Sequence, residues 1–238
     1  MIALHVPCLV QAQRPKLLRA MRTVGEMLGW KQTIPRGQTC CGLPAWEAGF
    51  EDAARAAARR TIKHFEDADV VLTPSAACLS MFTQRIPELM AGDPLAHEAA
   101  MLARKTRLWC DAVAEERDIL LPRLRFSGRV MLLDSCTRAL SEELRLLMAA
   151  IPGLTLVESL GDCCSFSHDL SRRHPAIAAA IAENQATVLR RRQLDAVLVN
   201  EPGCLLQLEP YCRTRPTPIL LHPAEFLADS LLRSADHR

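Results

Sequence analysis

Eight of the ten cysteines in this 238-residue chain fall into a pattern that is written twice. Cys8, a gap of 31 residues, the adjacent pair Cys40-Cys41, a gap of 36 and Cys78 form the first copy. Cys136, a gap of 26, the pair Cys163-Cys164, a gap of 39 and Cys204 form the second. Adjacent cysteines are hard to join in an unstrained disulfide, because the bridge has specific geometry. Thiolates that converge from distant parts of a chain suit a soft metal centre instead. Four of them complete an iron–sulfur cluster or a tetrahedral zinc site. Structural zinc is usually held by short Cys-x2–4-Cys knuckles, which this chain lacks, so iron–sulfur chemistry is the expectation and zinc the alternative. Gly42, directly after the first pair, has no Cβ and lets backbone amides come close to a sulfide.

For such distant cysteines to meet, strand ends must bring them together. Short β-rich runs alternate with longer amphipathic stretches. In the first half, Ile2–His5, Lys31–Ile34 and Asp69–Leu72 read as strands. Arg14–Leu28, Glu51–Phe65, Leu79–Met90 and Ala96–Glu116 read as helices. Ser127-Gly128 punctuates the chain, and the alternation restarts. Val130–Leu133, Leu154–Val157, Ala196–Val199 and Pro218–Leu221 are the second set of strands, and Ser141–Ala150, Ala176–Arg192 and Glu225–Leu232 the second set of helices. Cys8 overlays Cys136, Cys40 overlays Cys163 and Cys78 overlays Cys204, at offsets of 128, 123 and 126, so an internal duplication is the economical reading. The expectation is an α/β protein of two pseudo-repeated halves, residues 1–125 and 126–238. Each half is a mainly parallel sheet flanked by helices, with its cysteines at the carboxyl ends of strands, where ligands of such sheets gather.

Composition narrows the classes. With 49% apolar residues and 24% charged, the chain can bury a packed core. No run approaches the ~18 apolar residues of a membrane span. The opening MIALHVPCLVQAQR lacks a basic leader, and His5 and Pro7 interrupt its apolar stretch. Many cysteines without an export signal point to a reducing cytoplasm. A net charge of +2 and scarce aromatic residues give no support for nucleic-acid binding, and Arg190-Arg191-Arg192 reads as a solvated helix end. No Gly-x-Gly-x-x-Gly or Walker loop offers a nucleotide or flavin site. Ser75, Ser135 and Ser165 lack an evident His/Asp partnership for hydrolysis.

Several motifs are more specific. Cys8-Leu9-Val10, Gln38-Thr39-Cys40-Cys41-Gly42-Leu43-Pro44-Ala45, Pro74-Ser75-x-x-Cys78, Asp134-Ser135-Cys136 and Leu221-His222-x-Ala224-Glu225-Phe226 strongly resemble the cysteine-rich CCG proteins. Within that group the resemblance is closest to the lactate-utilization protein A family. The B-type subunit of heterodisulfide reductase and the glycolate oxidase iron–sulfur subunit are its relatives. The resemblance implies a cytoplasmic iron–sulfur subunit, not an autonomous enzyme. It would work with a ferredoxin-like iron–sulfur subunit and a third subunit to oxidise L-lactate, or a related 2-hydroxy acid, to the 2-oxo acid. The wider group tends to end each copy in Cys-x-x-Cys, but Ser75 and Glu201 occupy the earlier positions here. Four cysteines per copy favour a [4Fe–4S] centre, with Cys8, Cys40, Cys41 and Cys78 at one site and Cys136, Cys163, Cys164 and Cys204 at the other. Ser165-Phe166-Ser167 replaces a glycine-rich run, and Thr137 stands where the family often has histidine, so an altered second site is expected.

Cys110 and Cys212 are expected to be core filler and bystander, and His222 a structural residue. Glu201 reads as an exposed loop carboxylate in preference to an iron ligand. Two rival functions remain: a thiol–disulfide reductase component resembling the B-type subunit of heterodisulfide reductase, and a structural zinc protein.

Overall fold

The computed structural model describes residues 1–157, 163–166, 168–213 and 218–235. Two four-stranded, wholly parallel sheets organise it. The first consists of β1 (Ile2–Leu4), β2 (Gln32–Thr33), β3 (Val70–Thr73) and β4 (Thr106–Leu108), in the order β2-β1-β3-β4. The second consists of β5 (Gly128–Leu133), β6 (Leu154–Val157), β7 (Ala196–Val199) and β8 (Ile219–Leu221), in the order β6-β5-β7-β8. The strand order is identical in the two halves, as a duplication requires. It also fixes where a ligand belongs. In a doubly wound sheet the chain leaves in opposite directions from the two central strands, opening a crevice at their carboxyl ends. Those strands are β1 and β3 in one half and β5 and β7 in the other.

The strands are buried on both faces, so alternation along them sorts residues between two cores rather than between core and water. Leu4 and Leu72 turn to one side, and Ala3 and Val71 to the other. Val130, Leu132 and Leu198 share the first core with Leu4 and Leu72, whereas Met131, Leu133, Val197 and Val199 face a third cluster. The central core therefore runs through both halves. Helix Pro15–Met27 packs there on the closing helix Pro223–Ala235, and helix Trp109–Ala114 packs on helix Glu142–Ala149. These two contacts are related by the duplication: each joins the helix after a first strand to the helix after the other half's fourth strand. The halves meet about a pseudo-two-fold axis and bury one another's apolar faces.

The first sheet and its flanks depart from the sequence expectation in two places. Ala96–Glu116 is not a single helix: Ala96–Lys105 and Trp109–Ala114 are helical, with β4 between them. Thr106 and Leu108 are buried and Arg107 is exposed, the period-two signature of an edge strand. Pairing with β3 outweighs the helical propensity of the flanks. The second strand of the first half is also shorter than expected, Gln32–Thr33.

Candidate functional site

Each single cysteine of the first half lies just past a central strand. Cys8 opens helix Cys8–Gln13 after β1, and Cys78 lies in helix Ala76–Ser80 after β3. Cys40 and Cys41 occupy the loop after β2, which is pinned by its neighbour. The Gln38 amide donates to Leu4 O and accepts from Val6 N, both at 2.9 Å, docking the loop against the segment that leads to Cys8. Gly42 then turns the chain with φ +96°, and a Cβ there would stand 3.0 Å from Ala57 Cβ. Glycine is required at this position both by its φ and by its close packing.

The sulfurs that result form a string. Cys8 Sγ lies 3.7 Å from Cys40 Sγ, and Cys41 Sγ lies 3.5 Å from Cys78 Sγ. Cys40 and Cys41 are adjacent in sequence and interact electrostatically, so the two close pairs form one string. Hydrogen bonding to Cys40, then burial, pushes the Cys8 thiol far above its ordinary range. Hydrogen bonds to Cys40 and Cys78, then burial, do the same to Cys41. Thiols packed this closely resist joint ionisation because each thiolate repels the next. A bound cation reverses that balance and makes thiolate the favoured form. The donor set therefore fits a soft, positively charged metal centre, and a cavity of about 230 Å³ adjoins it.

The second half repeats the arrangement with changes. Cys136 and Cys163 interact electrostatically, as Cys8 and Cys40 do in the first half. Cys164 and Cys204, the counterparts of Cys41 and Cys78, are joined as a disulfide with Cα atoms 5.5 Å apart. Asp134 fixes the loop bearing Cys136 by accepting from Leu140 N at 2.9 Å and from Arg145 at 2.7 Å. Ser165 stands where Gly42 stands in the first copy and takes the same left-handed turn, with φ +64°. Its hydroxyl donates to Ala178 O at 2.8 Å and so ties the strained turn to helix Pro175–Arg191. Ser165 N and Phe166 N point at Cys163 Sγ (3.3 Å) and Cys164 Sγ (3.4 Å). Amides aimed at sulfur in this way tune an iron–sulfur centre. Thr137 supplies a hydroxyl hydrogen bond to Cys136, which opposes the upward push of burial and of Cys163 on that thiol. Ser167 lies outside the described residues.

Both sets of cysteines open onto the same cavity, whose lining includes Cys8, Cys41, Cys78, Cys136 and Cys204. Trp46, with the Arg85 guanidinium 4.4 Å above its ring, and Phe166 close its apolar walls. Among the described residues, no three Cys, His, Asp or Glu side chains are grouped as a single-ion site.

Other candidates resolve clearly. Cys110 is buried, with Sγ 3.9 Å from His222 Nε2, and burial raises its pKa. Cys212 lies beyond Cys204 in the turn Glu209–Cys212, half-buried. His222 donates from Nε2 to Pro74 O at 3.0 Å and accepts at Nδ1 from Ala224 N at 3.1 Å, so both ring nitrogens serve structure. Arg190 pairs with Glu183 at the end of its helix. Ala54, Ala57 and Ala58 pack inward. Glu201 corrects the sequence reading, being only 6% exposed. Its carboxylate accepts hydrogen bonds from Ser75 Oγ, Ala77 N and Gly203 N, a role that a lone glutamate in a loop does not advertise. The one sequence signal for it is that Ser75 and Glu201 occupy equivalent positions of the two copies.

A duplicated parallel α/β unit with a Cys…Cys-Cys…Cys set at each sheet's carboxyl edge defines a class, and the sequence comparisons agree. The profile of the CCG cysteine-rich domain matches residues 2–83 and again 130–209, and the chain belongs to that family. Among curated proteins it is similar to a lactate utilization protein A 2 of Bacillus cereus, at 28% identity over 97% of this chain and 98% of that one. A lactate utilization protein A 1 of Bacillus anthracis is similar at the same identity and coverage. A solved structure of glutamate racemase from Thermus thermophilus superposes with a TM-score of 0.34 at 12% identity, covering 99% of this chain and 80% of that one; so slight a likeness supports no argument. No helix among the described residues is long and apolar enough to cross a membrane.

Proposed function

We propose that this chain is the iron–sulfur subunit of a cytoplasmic system that oxidises L-lactate, or a related 2-hydroxy acid, to the 2-oxo acid. The observation that carries the reading is the convergence of Cys8, Cys40, Cys41 and Cys78 into a continuous string of sulfurs beside a cavity. These four residues hold one [4Fe–4S] centre, and Cys136, Cys163, Cys164 and Cys204 hold the other once the Cys164–Cys204 disulfide is reduced to two thiols. An open string suits a cluster, which spreads its ligands over several metal ions, better than one zinc ion, which draws four sulfurs towards a single point. The cluster, when bound, supplies one-electron transfer. The chain's own residues bring the sulfurs together, aim Ser165 N and Phe166 N at Cys163 and Cys164, and wall the site with Trp46 and Phe166, while the bound metal would make thiolate the favoured form. The relatives' names support lactate as the substrate of the system. A ferredoxin-like subunit and a third subunit complete it, since this chain offers no nucleotide or flavin fingerprint for a hydride. Residues 1–125 and 126–238 are the two repeats, folding as one body around their common core.

Reconstituted anaerobically, the isolated chain is expected to bind iron and sulfide yet not turn over L-lactate with an artificial acceptor. Turnover by the chain alone would contradict the subunit assignment. One observation favours a second reading: the Cys164–Cys204 disulfide fits a component of a thiol–disulfide reductase. Reduction of a small organic disulfide by the cluster-loaded chain with dithionite as the electron source, faster than by its Cys164→Ser variant, would favour that alternative.

A further inference from the structure

The two cysteine sites are not mechanically separate. Cys78 N donates to Ser75 Oγ at 3.1 Å, and Ser75 Oγ donates to Glu201 Oε2 at 2.9 Å. The same oxygen accepts from Ala77 N at 2.9 Å, and Oε1 accepts from Gly203 N at 3.2 Å. Three hydrogen bonds thus join the backbone of Cys78 to the residue beside Cys204, through a carboxylate 6% exposed. Glu201 caps its own helix, Pro202–Leu208, and also the helix of the other half that presents Cys78. Uncapped amides at a helix start are costly when buried, so both helices depend on one side chain. Each partner is chemically committed. Ser75 uses its only proton on Glu201 and its oxygen on Cys78 N, and Glu201 accepts on both oxygens.

We propose that Glu201 is a positioning residue shared by the two sites. It holds Cys78 and Cys204 in register, so that a change at one site is transmitted to the other. A glutamine at this position can accept on one oxygen only, and its NH2 group then meets a backbone or hydroxyl donor. Glu201→Gln must therefore release one of the two helices, while removing a negative charge from between them. Ser75→Ala keeps the charge and removes the hydroxyl path from Cys78 N to Glu201, leaving only the Ala77 N bond between the two helices.

The test has two arms, and only the second rests on the cluster reading above. In metal-free, reduced protein, alkylation by iodoacetamide followed residue by residue should accelerate about fivefold at Cys78 or Cys204 in E201Q, the change expected from losing one helix cap. Ser75→Ala should accelerate Cys204, in the opposite half, with buried Cys110 unchanged as the control for global unfolding. If E201Q exposes Cys110 as well, the Ser75→Ala result decides. In reconstituted protein whose second site is deleted by Cys136→Ser, E201Q should raise the reduction potential of the first site and alter its electron paramagnetic resonance signal. A purely structural cap elsewhere would not do this. Unchanged labelling in both variants, with an unchanged first-site signal, would overturn the proposal. Failure of the parent protein to take up iron would remove the cluster reading and leave labelling to decide the link.

Discussion

Arg14 joins helix Cys8–Gln13 to helix Pro15–Met27 and is locked to the far end of the chain. Its guanidinium is 3% exposed. Nε lies 3.0 Å from each oxygen of Glu225, Nη2 lies 2.8 Å from Oε2 and 3.2 Å from Leu220 O, and Nη1 pairs with Glu209. Arg14→Ala leaves the Glu225 carboxylate, 5% exposed, with His222 N at 2.9 Å and Lys16 at 3.8 Å. Removing one partner of a buried pair typically costs about 3–5 kcal/mol. Lys16, 57% exposed and at the edge of ion-pair range, recovers little, so a loss of about 3 kcal/mol is expected. In anaerobic urea unfolding that corresponds to a midpoint lower by roughly 1 M. Arg14→Met combined with Glu225→Met should regain part of the loss, because no buried charge is then left unpaired. A loss under about 1 kcal/mol for Arg14→Ala would show that the halves are held by apolar packing alone and that the lock is incidental.

Further outcomes follow from the same contacts. His222 and His5 are fully buried, and burial lowers the pKa of each from 6.5 to about 3. Between those values the unfolded chain binds more protons, so stability is complete above about pH 6.5 and falls as pH drops, by up to about 1.4 kcal/mol per unit for each histidine. Urea midpoints from pH 7 to 5 should show this slope, and His222→Asn should reduce it; a flat profile would contradict the burial of both. Gly42→Ala forces a side chain into φ +96° against Ala57 and should cost about 1–3 kcal/mol along with first-site iron, read by thermal unfolding and metal analysis. Ser165→Gly relieves φ +64° but loses the bond to Ala178, so its stability should change by under about 1 kcal/mol; equal losses for the two variants would refute the asymmetry of the turns.

Much of the fold is legible in the sequence because duplication lets each half check the other. The cysteine offsets predict two similar sheets, and the pattern after Ser127 gives its strands almost to the residue. β4 escapes the pattern although its counterpart β8 does not, because Ala96–Lys105 runs smoothly in helical periodicity into a three-residue strand. Local patterning is weak evidence for so short an element. The clustering of Cys8, Cys40, Cys41 and Cys78 follows from strand-end logic. The Ser75–Glu201 link, the Arg14–Glu225 lock and the core shared between the sheets do not. They depend on how two repeats dock, and neither periodicity nor spacing within a repeat encodes that. Burial of Glu201 in particular is decided by residues 126 positions away.

The central claim is that the four first-half cysteines hold an iron–sulfur cluster. The direct measurement is iron and acid-labile sulfide, with visible absorbance, in anaerobically reconstituted Cys136→Ser protein and in the same protein carrying Cys41→Ser. About four irons and four sulfides are expected in the first, and loss of most iron, sulfide and absorbance in the second. Zinc without sulfide in the first, or undiminished iron after Cys41→Ser, would contradict it.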